Sequence, residues 1–152
     1  MRRAAFFMLV VVLALACSHG AAKDETVDEL KARFESAHPD DRPELAIRIA
    51  QYQLRNADKL YNDGKVDQAR AAVDDIVTYS EKARDAVTQT KKHLKHVEID
   101  VRKMAEKLRD IKRTLVFEDQ PPVEQAIRRL EDIRTTLQNE MWPKDTKKEQ
   151  KK

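Results

Sequence analysis

Glycine is nearly missing from this sequence: of 152 residues, only Gly20 and Gly64 are glycine. Sandwiches, nucleotide-binding α/β folds and phosphate-cradling loops need glycine for their turns, so none of them is expected. Aromatic residues are also few, at 5%, while charged residues reach 38%. That balance fits exposed helices sharing a thin apolar seam, not a large globular core, and the length offers about one domain's worth of chain. The expected fold class is all-α.

No large excess of one charge is present either. The formal net charge is +3, and loss of Arg2 and Arg3 with a cleaved leader leaves 28 basic against 27 acidic residues. Nucleic acid is therefore not an expected partner. Catalytic groupings are missing as well. Ser18, Ser36 and Ser80 sit in the tether, near a helix end and on a packing seam, and the adjacent carboxylates Asp74-Asp75 and Glu131-Asp132 point about 100° apart on a helix. The expectation is a protein that is not an enzyme and carries no cofactor.

What is present begins with an apolar run. Met1-Arg2-Arg3 precedes Ala4 to Ala16, which includes Phe6, Phe7, Leu9, Val10, Val11, Val12, Leu13 and Leu15. A positive end followed by about 13 apolar residues matches a secretory signal peptide, residues 1–16, and falls short of the roughly 20 that span a bilayer. The run ends at Leu13-Ala14-Leu15-Ala16-Cys17, with the chain's only cysteine last. This resembles the lipobox of bacterial lipoproteins, although Ala14 stands three residues before the cysteine where that family prefers Leu. The resemblance implies cleavage after Ala16, diacylation of Cys17, and a protein anchored by its N-terminal lipid in the cell envelope, facing the periplasm. Cleavage after Ala16 or Ala22 without lipidation is the alternative, and would release a soluble periplasmic or secreted protein. Residues 17–25 read as a tether.

From there the apolar pattern has helical period, over residues 26–143. Val27, Leu30 and Phe34 mark a helix over about 26–37, which Pro39 ends. Ala46, Ile49, Ala50, Ala57, Leu60 and Tyr61 mark a second over 42–62, with Pro43 in its first turn and Gly64 as its stop. Counting alternately three and four from Val66 then gives a seam through Val73, Ile76, Val87, Leu94, Val97, Val101, Met104, Leu108, Ile111 and Leu115. Thirteen of its fifteen positions are apolar, where composition alone would supply roughly six. With no Gly or Pro inside 65–117, the expectation is one long heptad-patterned central helix of about 75 Å in an elongated hairpin or bundle. Ser80 and Thr90 interrupt this seam, so a break near Thr88–Thr90, closing the same segments into a compact bundle, stays open. A last helix follows over about 121–141. Residues 144–152 hold five lysines in nine residues and read as a disordered tail.

Leu60-Tyr61-Asn62-Asp63-Gly64-Lys65-Val66-Asp67-Gln68-Ala69-Arg70 resembles the turn of a tetratricopeptide repeat, a likeness covering about residues 50–83 without a second copy. His93, His96 and Asp100 share one side of a helix and are weak candidates for a metal site, with solvated histidines the expectation. Residues 91–113 carry nine basic and four acidic residues, and 114–143 six acidic and three basic. The basic half-helix is expected to meet the acidic return helix; otherwise Lys91, Lys92, Lys95, Arg102, Lys103 and Arg109 form an anion stripe. The leading expectation is an envelope adaptor or scaffold that binds a protein partner, or itself, through the seam. The alternative is a periplasmic binding protein or chaperone that uses the stripe for anionic polymer, lipid or unfolded chains.

Overall fold

A computed structural model describes residues 25–143. The leader, Ala16, Cys17, the tether up to Asp24 and residues 144–152 lie outside the described residues.

Five α-helices pack as a bundle, and no strand occurs among the described residues. The first, α1 (Val27–Ser36), starts at a capping box: the Glu29 amide donates to Thr26 Oγ1 at 3.3 Å and the Thr26 amide donates to Glu29 Oε2 at 2.8 Å. Its buried Leu30 and Phe34 lay it on α2, and Phe34 meets Tyr79 edge-to-face at 5.7 Å. The Lys82 ammonium sits over both rings, at 5.0 and 4.7 Å from their centroids. Lys31 donates to Asp75 at 2.7 Å. Burial opposes its charge, yet this hydrogen bond and the Asp75 carboxylate hold the ammonium above the ordinary lysine range.

Pro43 opens α2 (Arg42–Asn62), where its missing amide costs nothing. At the far end Gly64 takes φ +73°; its amide donates to Tyr61 O at 3.1 Å and the Lys65 amide donates to Leu60 O at 2.8 Å. This is a Schellman stop, and it folds α3 (Val66–Thr90) back along α2 as an antiparallel hairpin. Ala57, Ala69 and Val73, the small positions of the repeat-like turn, are completely buried where the two helices meet.

The expected continuous helix over 65–117 does not form. It ends at Thr90, and α4 (Leu94–Thr114) begins after three intervening residues. Lys91 and His93 both adopt left-handed conformations, at φ 57° and 60°. Two causes are visible. Locally, Val87, Thr88 and Thr90 are β-branched, and Thr90 Oγ1 donates to Ala86 O at 3.0 Å while accepting from the Lys92 amide at 3.4 Å, so the side chain competes with the helix. Globally, a straight rod would leave each half of its seam covered by a single helix. The reversal sets α4 beside α2 and α3, and α5 (Gln120–Met141) beside α3 and α4. Val97, Val101, Met104, Leu108 and Ile111 thereby join Val73, Ile76 and Val87 in one continuous core. Each such side chain contributes about 1.5–3 kcal/mol on full burial, outweighing the strain of two left-handed residues at about 1–2 kcal/mol each.

The α4–α5 hairpin turns through Val116 and a short 3-10 segment, Phe117–Asp119, and Pro121 and Pro122 occupy the first turn of α5. Val123, Leu130, Ile133 and Leu137 carry its buried face. The basic face of α4 meets the acidic face of α5 as expected, through Arg109–Glu131 at 2.6 Å and Lys112–Glu124 at 3.2 Å. A pair of opposite sense, Arg134 Nε to Glu98 at 2.7 Å, lies between them. The Glu98 hydrogen bond is the main reason the Arg134 guanidinium stays above its ordinary range. No helix among the described residues is long and apolar enough to cross a membrane.

Candidate functional site

The bundle has two distinct ends. At one, the α2–α3 turn around Gly64 lies with Val116 and Phe117, tied by the Arg70–Asp119 ion pair at 2.9 Å. At the other, the α1–α2 turn, the α3–α4 turn and the end of α5 come together, because Lys92 reaches Asp40 at 3.4 Å and Lys91 pairs with Glu140. The left-handed residues of the α3–α4 turn belong to this second end.

A cleft of about 420 Å³ opens there between the first turns of α2 and of α4. Pro43, Ile47 and Val97 form its apolar floor, and Asp40, Glu44, Arg48, Gln51, His93, His96 and Asp100 its polar walls. Helical spacing explains the set: His93, His96, Val97 and Asp100 fall on one face of α4, and Pro43, Glu44, Ile47 and Gln51 on the facing side of α2. The α4 half was singled out by sequence as His93, His96 and Asp100. The α2 half was not, because nothing in the pattern of α2 tells which helix faces it.

Among the described residues no group of three or more His, Cys, Asp or Glu side chains is arranged to hold a metal ion. His96 Nε2 lies 3.5 Å from Asp100 Oδ2, an ion pair when the imidazole is protonated. The walls of the cleft offer hydrogen bonds and charge to a ligand.

The packing seam is inside the molecule. Val73, Ile76, Val87, Val97, Val101, Met104, Leu108 and Ile111 are buried and Leu94 is partly buried against them. Among the described residues the seam therefore packs the chain on itself. The six residues of the anion stripe divide evenly: Lys91, Lys92 and Arg109 are engaged by Glu140, Asp40 and Glu131. Lys95, Arg102 and Lys103 are exposed and make no ion pair among the described residues.

Sequence reasoning missed the exposed apolar residues. Phe117 is 79% exposed, Val116 62% and Trp142 65%, whereas the other large apolar side chains of the fold are buried or half-buried. Their sequence signal was their place outside every helical period, at the ends of α4 and α5. No known protein family, curated protein or solved structure matches this chain.

Proposed function

We propose that the chain is a non-enzymatic adaptor of the bacterial cell envelope, exported by residues 1–16, tethered by a lipid on Cys17, and holding its helical bundle out to a protein partner. The observation that carries this reading is the polarity of the bundle. The chain enters the fold at Glu25, which pairs with Arg48 at 3.0 Å, in the third of α2 nearest the α3–α4 turn. Eight residue steps separate Glu25 from Cys17, about 28 Å at full extension. The exposed Val116 and Phe117 lie at the opposite end of the bundle, beside the α2–α3 turn. An exposed aromatic and aliphatic pair on a turn held between two helices is a compact anchor for a partner.

The adaptor's contact surface is then this end and not the heptad seam, which the chain uses internally. The alternative, capture of anionic polymers by the basic stripe, is disfavoured because half of that stripe is already neutralised across helices. A photo-crosslinking residue at position 117 tests the adaptor reading in intact cells, with one at the exposed position 55 as control. A discrete adduct from 117 that is absent from 55 and lost on Val116→Ser is the expected result. Equal adducts from both positions, or none from 117, would remove the reading.

A further inference from the structure

The turn between α4 and α5 is held from two sides. The Asp119 amide donates to Val116 O at 3.0 Å and Gln120 Nε2 donates to Leu115 O at 3.0 Å, so the backbone under the exposed pair is closed on itself. From α3, Arg70 reaches Asp119 at 2.9 Å and Asp67 at 3.8 Å, which fixes the 3-10 segment beside the start of that helix. Phe117 is therefore presented on a pinned turn, and little ordering is left to oppose its binding.

The charge around this turn has one sign in excess. Residues 62–70 and 114–120 contain Asp63, Asp67, Glu118 and Asp119 against Lys65 and Arg70, and Arg70 is engaged by Asp119 and Asp67. Glu118, next to Phe117, is exposed and makes no ion pair among the described residues. The Asp67 side chain is 99% exposed, so its carboxylate stays open to a partner beside Arg70.

We infer that the partner receives Val116 and Phe117 in an apolar pocket rimmed by lysine or arginine side chains. The inference rests on the adaptor reading above and names the chemistry of its partner. Interfaces put an apolar anchor at the centre and polar groups at the rim, and rim charges of opposite sign speed association and reject wrong partners. The same carboxylates count against other occupants. A second copy meeting this end turn to turn would set like charges together, and anionic lipid headgroups would be repelled.

The probe is an aromatic photo-crosslinking residue at position 117 of the full exported chain, irradiated in intact cells, with the cross-linked peptide mapped by mass spectrometry. An exposed pair of opposite charges contributes a factor of up to about five, and reversal turns attraction into repulsion. Asp67→Lys with Glu118→Lys is thus expected to lower the adduct about tenfold. Glu106→Lys with Asp132→Lys changes the total charge equally, at exposed positions in the middle of α4 and α5 without ion pairs among the described residues, and is expected to leave the adduct unchanged. Both double variants keep the helical circular dichroism, since every altered side chain is exposed. Replacing the mapped partner's lysine or arginine by Glu should lower the adduct with the unaltered chain and restore it with the Asp67–Glu118 variant.

An adduct affected equally by the two double variants overturns the basic rim while the adaptor reading stands. An adduct with the mass of two copies of this chain makes the occupant a second copy and overturns it also. No adduct from the unaltered chain removes the adaptor reading, and this inference with it.

Discussion

The break between α3 and α4 makes opposite predictions from those of a continuous helix, and His93 separates them. In the structure His93 is exposed, makes no side-chain hydrogen bond or ion pair among the described residues, and holds φ 60° and ψ 12°. Compare His93→Gly with His93→Ala. At a left-handed position alanine keeps a strain of about 1–2 kcal/mol that glycine does not have, and glycine's greater unfolded entropy returns about 0.5–1 kcal/mol of that. The glycine variant is therefore expected to be the more stable by about 0.5–1 kcal/mol. In a continuous helix over 65–117 the order reverses, since glycine is about 1 kcal/mol worse than alanine in a helix interior. The two outcomes lie nearly 2 kcal/mol apart, well beyond the scatter of urea unfolding followed by circular dichroism when the slopes are equal. An alanine variant more stable than the glycine variant would refute the break.

Leu130→Ala empties a completely buried position on α5 and should cost about 2–5 kcal/mol in the same assay, whereas Arg55→Ala, on the exposed face of α2, should stay within about 0.5 kcal/mol. Gly64→Ala meets no atom within 4 Å of its new Cβ, so its cost of about 1 kcal/mol is conformational alone and should be similar for Gly64→Ser. The Lys112 hydrogen bond, with the Lys112 and Arg128 charges, holds the Glu124 carboxyl below the ordinary glutamate range. A depressed carboxyl stabilises the fold above its unfolded pKa and loses that contribution as pH falls through its folded pKa, here below the ordinary glutamate range. Carboxyl NMR should show the Glu124 midpoint rising on Lys112→Met; an unmoved midpoint would contradict the pairing.

Helix positions were readable where local chemistry marks both ends. Pro43 and Gly64 bracket α2, and its observed span, Arg42–Asn62, coincides with the expected 42–62. Pro39 did the same for the end of α1, and Pro121 with Pro122 for the start of α5. The charge asymmetry between the two C-terminal halves also anticipated Arg109–Glu131 and Lys112–Glu124. The α3–α4 break was harder to read because neither Gly nor Pro marks it. A heptad seam continues through Leu94 whether the chain runs straight or reverses, and what decides is the burial gained when two hairpins cover each other, a long-range quantity. The cleft suffered from the same blindness: His93, His96 and Asp100 share a face in sequence, but Glu44, Ile47 and Arg48 reach them only through that reversal. Val116, Phe117 and Trp142 became notable only when the rest of the apolar surface was seen to be covered.

The tether is the premise on which the orientation of the whole molecule depends, and the intact mass of the mature protein from a membrane fraction tests it most directly, with Cys17→Ala as the comparison. The account predicts a wild-type chain beginning at Cys17 with added acyl mass, and no acylated species from the variant. A wild-type chain beginning at Lys23, or at Cys17 without added mass, would contradict the tether and leave the bundle a soluble binding protein.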